Sequence, residues 1–231
     1  MANKRINDFT EVTTPEDNSN LLLESSNGIT LKSKLTNLLK RLFNHREVYR
    51  DILGMSFGFG AAGGKNAPTF KQFRSGFYLW AFENGPQIQE GYLQVHLMHD
   101  LKAGEDLTFH IHWSHNEAVP TGNIKWNADY SIARGYEAGT FTVENTLSVV
   151  QTVGAQYTHH ISDDDAMVIP FSSGEIEPDT VILIRIWRDS TDVQDTFNGD
   201  AFFIYADIHC IIDKVGTTER NRPFLSGNFG S

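Results

Sequence analysis

Cysteine is almost absent from this chain: one residue, Cys210, among 231. A single thiol forms no disulfide within the chain, and "YADIHCII" places it in an apolar run where a buried side chain is expected. Long apolar runs are missing as well. No stretch approaches the roughly 18 apolar residues of a membrane-spanning helix, and the N-terminus "MANKRINDFTEVTTPEDNSN" has no apolar signal-peptide core. A soluble chain made in the cytoplasm, with no membrane partner, is the expectation. Basic charge is scarce, since 19 Lys and Arg against 29 Asp and Glu leave a formal net charge of −10. Nucleic acid is not expected as the main partner of such a body. No Gly-x-Ser-x-Gly elbow is present either, so nucleophilic catalysis finds no support and no enzyme activity is expected.

What the chain does have is apolar and aromatic content, 40% and 12%, together with 19 glycines that punctuate short runs rich in Val, Ile, Phe and Thr. That texture favours strands over helices. From 69 to 213, "FRSGFYLWAFE", "GYLQVHLMH", "DLTFHIHWSH", "IKWNADYSIAR", "GTFTVENTLSVVQT", "AMVIPF", "TVILIRIWRD" and "AFFIYADIHCIID" follow one another with turn residues between them. The reading is a mostly β fold, an antiparallel β-sandwich or jelly roll. Residues 1–30 are polar apart from Leu21, Leu22 and Leu23, and read as an extended arm anchored by those leucines. Over 31–53, Leu31, Leu35, Leu38, Leu42, His45, Tyr49 and Ile52 recur at steps of four and three. This spacing predicts one amphipathic helix, either a short coiled-coil seam or a helix lying on its own domain. Residues 54–68 form a Gly-rich linker. Its Gly58-x-Gly60-x-x-Gly63 is no dinucleotide loop, because it follows a predicted helix instead of a strand. Residues 214–231 read as a C-terminal tail. Lys and Arg outnumber Asp and Glu over the first 50 residues and are outnumbered afterwards, which gives a basic docking region on an acidic body.

Nine histidines are the main candidates for chemistry. Strand alternation in "LTFHIHWS" puts Leu107, Phe109, Ile111 and Trp113 on the core face and His110 and His112 on the other, toward solvent or a neighbouring subunit. Gly104, His110, His112 and Glu117 also resemble the first signature of the cupin family, in which two His, a Glu and a later His bind a divalent transition metal. His209 is the late strand histidine available for that set. The following glycine is displaced to Gly122 and no second cupin signature appears. The outward polar row is the preferred reading, and no cofactor is expected. His96 and His99 do not share a face if their strand continues. His159 and His160, beside Asp163, Asp164 and Asp165, read as a solvated turn, and Arg188 is expected to pair locally with Asp189.

Three stretches, "LQVHLMHDLKAGEDLTFHIHWSHN", "IKWNADYSIARGYEAGTF" and "TVILIRIWRDSTDVQDTFNGDAFFIYADIHCIID", resemble a family of tailed-bacteriophage structural proteins. The His-Asp turn, the His-x-His-Trp strand and the late Arg-Asp to Gly-Asp-Ala stretch carry the likeness, over roughly residues 70–215. Leu97-Met98 and Phe109 depart from that pattern, where prolines are usual. The resemblance implies a jelly-roll virion component and a trimer whose partners are other phage structural proteins; the arm and the helix are the expected sites of assembly. A head decoration or cement protein, assembled in the host cytoplasm, is the first expectation. A tail fibre or tail adaptor subunit is the alternative within that class, and a cupin-like metalloenzyme is the alternative outside it.

Overall fold

The computed structural model describes residues 20–24, 30–34, 48–59, 66–135, 139–162, 164–171, 176–213 and 215–217. A hairpin of β1 (Asn20–Glu24) and β2 (Thr30–Lys34) comes first, with Leu23 opposite Leu31 and Leu22 opposite Lys32. The strands that follow are β3 (Val48–Leu53), β4 (Met55–Gly58), β5 (Thr69–Arg74), β6 (Phe77–Phe82), β7 (Gln89–His96) and β8 (Leu107–Ser114). After them come β9 (Asn123–Arg134), β10 (Asn145–Thr152), β11 (His160–Ile161), β12 (Val168–Ile169), β13 (Thr180–Arg188) and β14 (Ala201–Ile212).

One sheet runs β10-β9-β13-β7-β4, and the other runs β11-β8-β14-β6-β5 with β12 added on β8 and β3 on β14. From β6 onward the chain steps from sheet to sheet, so that β6-β14-β8 with β11 and β12 faces β7-β13-β9-β10. That order is the jelly roll, two interlocked Greek keys. The mostly β, antiparallel sandwich read from the sequence is therefore the fold.

Period-two alternation builds the core. Leu107, Phe109, Ile111 and Trp113 of β8 meet Ile124, Trp126 and Ala128 of β9 and Ile182, Ile184 and Ile186 of β13, all essentially buried. Trp126 lies edge-on to Phe82, ring centroids 5.0 Å apart, and 6.2 Å from Trp113. Each fully buried apolar side chain of this kind stabilises the fold by roughly 1.5–3 kcal/mol relative to exposure. Gly122 shapes the approach to β9: its φ is +89°, and a Cβ there would lie 2.4 Å from the Thr196 carbonyl oxygen. Only glycine fits that backbone.

The predicted helix over 31–53 is corrected at both ends. Residues 31–34 belong to β2 and 48–53 form β3, while Leu35, Leu38, Leu42 and the rest of 35–47 lie outside the described residues. Among the described residues there is no α-helix, and no helix long and apolar enough to cross a membrane. The heptad spacing misled because Tyr49 and Ile52, three apart, share a helix face but point to opposite sides of a strand. Ile52, opposite Ile208, is buried, whereas Tyr49 and Leu53 are exposed. The residue types Val, Tyr and Ile also suit a pleated surface. Pairing with β14 satisfies a backbone edge that a helix there would leave bare.

The linker is corrected in part as well, because Met55–Gly58 forms β4 on β7, and 60–65 lie outside the described residues. The arm is corrected where Asn20–Glu24 and Thr30 enter the hairpin, which takes in Leu21, Leu22, Leu23 and Leu31. Of the C-terminal tail, 215–217 alone are described.

Arg188 sits at one end of the sandwich, and its side chain is 1% exposed. It does not pair with Asp189, which accepts bonds from the Thr191 amide and hydroxyl instead. Arg188 Nε donates to Asp195 Oδ2 and Nη2 to Asp195 Oδ1, each at 2.9 Å. Its remaining N–H groups reach the carbonyls of Phe82, Gly199 and Phe197 at 2.8, 2.9 and 3.0 Å. Adjacent strand residues point to opposite faces, which removes Asp189 as a partner and favours a residue on the returning loop.

Candidate functional site

The histidines of β8 do lie on the face opposite Phe109 and Ile111, but they do not form a solvent-facing row. His110 is 1% exposed and His112 5%. The alternation that puts them there is matched on β14, where Tyr205, Asp207 and His209 share the same outer face and Asp207 stands opposite His110 in register. On β3, Asp51 stands opposite His209. Three neighbouring strands thus bring Asp51, His110, His112, Asp207 and His209 onto one patch outside the sandwich.

Asp207, 2% exposed, is the hub. Its Oδ1 lies 3.5 Å from His110 Nδ1 and its Oδ2 lies 3.4 Å from His112 Nε2. His110 Nδ1 is also 3.2 Å from His209 Nε2, which in turn is 2.9 Å from Asp51 Oδ1. His112 Nδ1 is 2.9 Å from Nε2 of the exposed His159. The Tyr205 ring stacks on His112 at 4.0 Å and 20°, closing one side of the patch. Burial lowers the His112 pKa more than the charge of Asp207 raises it. Burial works the other way on Asp207, but the adjacent His110 ring and the charges of His112 and His209 outweigh it, so the carboxylate titrates below its usual range. A carboxylate beside two imidazole nitrogens is a ligand set for a divalent ion. Two sets meet the distance requirement: His110, His112 and Asp207, with two imidazoles and one carboxylate, and Asp51, Asp207 and His209, with one imidazole and two carboxylates.

The four residues of the cupin likeness do not come together as a set. His110, His112 and His209 converge, while Glu117 lies in the loop after β8, where its charge acts on His115. Cupin ligands face inward, and here the inward positions are filled by Phe109, Ile111 and Trp113. Sequence reading missed Asp207 and Asp51. "YADIH" carries the signal for the first, since Asp207 and His209 alternate just as His110 and His112 do; Asp51 was hidden inside the apparent heptad.

The other histidines divide between the turn after β7 and the interior. His96 and His99 both reach Asp179 Oδ1, at 3.3 and 2.9 Å, because β7 stops at His96 and the chain turns. His160 is not in a solvated turn: its ring stacks on Trp113 at 4.5 Å and it is buried, as is His115, whose Nε2 lies 3.1 Å from the Gly154 carbonyl oxygen. Asp163 lies outside the described residues. Cys210 is buried as expected, and burial pushes its thiol pKa up to about 11.

Burial lowers the pKa of both His115 and His160, against weaker opposing contacts at His115 from the backbone of Gly154 and Ala155. Above about pH 6.5, the unfolded value, both rings are neutral in either state and stability is complete. As pH falls through that value the unfolded chain takes up protons that the folded chain refuses. Stability then declines until the depressed folded values are reached, by up to about 1.4 kcal/mol per pH unit for each ring. Melting temperatures recorded from about pH 7.5 to about pH 5.5 should fall, and His160→Gln should flatten the slope. An identical slope in the variant would refute a neutral His160.

The fold and patch define a jelly-roll β-sandwich with a buried His-Asp cluster on the outside of one sheet. No family model matches the chain, and neither does any curated protein. Solved structures with some likeness include infectious bursal disease virus Gt strain, at 13% identity and a TM-score of 0.32 over 80% of this chain and 34% of that one. The Gx strain gives 10% identity and a TM-score of 0.29 over 83% and 36%. The lipid-containing bacteriophage PM2 gives 8% and 0.25 over 70% and 50%. The chain spans about a third of the first two chains and half of the third. The jelly roll rests on the strand order itself.

Proposed function

We propose that the chain is a structural, non-enzymatic component of a bacteriophage particle, a trimeric head decoration or cement protein that docks through its N-terminal region. The observation that carries this reading is the way the N-terminal segment enters the sandwich. β3 joins one sheet on β14 and β4 joins the other on β7, linked through Gly54, whose amide donates to the Ala206 carbonyl at 2.8 Å. This clamp fixes the sandwich end of the 47 preceding residues, in which seven Lys and Arg nearly balance six Asp and Glu, on a body where acidic residues dominate. An arm anchored in that way transmits load to both sheets, and several arms on one trimer bind a particle with high avidity from modest single contacts. The filled interior, with Phe109, Ile111 and Trp113 at the positions a cupin would use for metal, favours this role over a cupin-like enzyme. A tail fibre or tail adaptor would use the same arm and is distinguished by where the chain sits on the particle.

The test is quantitative mass spectrometry of purified phage particles with native mass spectrometry of the free protein. The full chain is expected in particles and as a trimer in solution, and deletion of 1–30 should lower its copy number at least tenfold. Absence from particles would overturn the virion role; unchanged incorporation of the truncated chain would overturn the docking arm.

A further inference from the structure

We propose that His110, His112 and Asp207 hold one divalent first-row transition ion of the zinc class on the outer face of the jelly roll, where it clips β8 to β14. The distances argue for an ion. His110 Nδ1 to Asp207 Oδ1 at 3.5 Å and His112 Nε2 to Asp207 Oδ2 at 3.4 Å are longer than good N–H···O hydrogen bonds. They are close to the separation of neighbouring ligands around a tetrahedral zinc, about 3.3–3.4 Å for bonds of about 2.0–2.1 Å. Each nitrogen faces the carboxylate at ligand spacing.

The buried polar atoms argue in the same direction. His112 Nε2 and Asp207 Oδ1 are shielded from water and have no hydrogen-bond partner among the described residues. Leaving such atoms without a partner costs about 1–3 kcal/mol each, and an ion between them removes that cost. The imidazoles are also held by outer contacts of the kind metal ligands use. With Nε2 of His112 on the ion, its Nδ1–H donates to His159 Nε2, 2.9 Å away, which fixes both ring orientation and tautomer. Tyr205 stacks on the same ring and excludes water from one side.

His209 and Asp51 complete the exposed lip. His209 Nε2 lies 3.2 Å from His110 Nδ1 and 2.9 Å from Asp51 Oδ1, so His209 is positioned to close the fourth site by a small shift. The donor set of imidazole nitrogen and carboxylate oxygen selects Zn²⁺ and similar ions over Mg²⁺ or Ca²⁺, which prefer oxygen alone. The arrangement differs from the cupin likeness in two respects: the ligands face outward, and Asp207 on the neighbouring strand stands in place of Glu117. The inference is independent of a role in the virion.

The experiment uses the full chain without a histidine tag, stripped with chelator and then equilibrated with Zn²⁺ or Co²⁺ alone. Wild type is expected to retain about one Zn²⁺ per chain and to melt at a higher temperature when loaded. Asp207→Asn, nearly isosteric, should reduce affinity at least a hundredfold while keeping the β-sheet circular dichroism spectrum, and Glu117→Gln should bind as wild type does. Co²⁺ absorption of the wild-type protein should show the intense visible bands of low-coordinate cobalt, a readout that needs no variant. No retained Zn²⁺ and no cobalt spectrum would overturn the proposal, as would equal uptake by a folded Asp207→Asn protein.

Discussion

Asp195→Ala is expected to destabilise the protein by about 3–5 kcal/mol, measured as a shift in the urea midpoint at unchanged slope. The size follows from what the substitution leaves behind. Arg188 has a 1% exposed side chain, and Asp195, 0% exposed at its own side chain, is the carboxylate that answers its charge. A buried carboxylic acid or lysine can shed its charge by shifting its pKa; a guanidinium cannot. The truncated site therefore keeps a full positive charge against three carbonyl oxygens and the Phe197 ring, whose centroid is 5.5 Å away. Asp195 also accepts from the Lys125 amide at 3.2 Å, so the start of β9 loses a contact in the same step. The double change Arg188→Met with Asp195→Leu should recover most of the loss, because it removes the ion pair as a unit. A single variant costing less than about 1 kcal/mol would show that water reaches the pair.

The pair illustrates which parts of this fold a sequence reveals. Strands β6 to β10 and β12 to β14 were legible because each alternates or forms a short apolar run between turn residues, and the sandwich followed from their number; the hairpin partner β5 was not, since "FRSGFYLWAFE" read as one strand across the turn at Ser75 and Gly76. The partner of Arg188 was not legible, because nearness in sequence pointed to Asp189 while the loop after β13 folds back to deliver Asp195. The face of His110 and His112 was legible from period two. Their burial was not, since it depends on Tyr205 and Asp207 of β14 arriving alongside, from about a hundred residues further on. Local pattern fixes which way a side chain points, and only tertiary pairing decides whether water is there to meet it.

The same distinction explains the helix that was misread. Over 31–53, apolar residues at steps of four and three satisfied a helical template, and the basic residues between them fitted a solvated helix face. Yet the last six of those residues, "VYRDIL", are equally a strand, and β14 offers an open edge beside them. Where two periodicities fit a short segment, the available backbone partner decides. The cost of the misreading was Asp51, a residue of the exposed lip beside His209, which looked like a solvated helix position and is instead a cross-strand neighbour.

Ile52→Asp is expected to destabilise the fold by about 4 kcal/mol or more, whereas Leu53→Thr should change stability by less than about 0.5 kcal/mol. Ile52 is 8% exposed and faces the core opposite Ile208, so the substitution removes apolar burial and places a carboxylate where no cation waits. Leu53, at 64% exposure, already meets water on the outer face. The contrast discriminates strand from helix directly. In a coiled-coil seam Ile52 would be an intersubunit position, its loss would depend on protein concentration, and Tyr49→Asp would be as damaging because both lie on the seam. In β3 the effect of Ile52→Asp is set within one chain and is the same at any concentration. Unfolding followed at two protein concentrations a hundredfold apart separates the two cases. A concentration-dependent loss would return residues 48–53 to the oligomer interface; a concentration-independent one fixes them as the strand that clamps the N-terminal arm to the jelly roll.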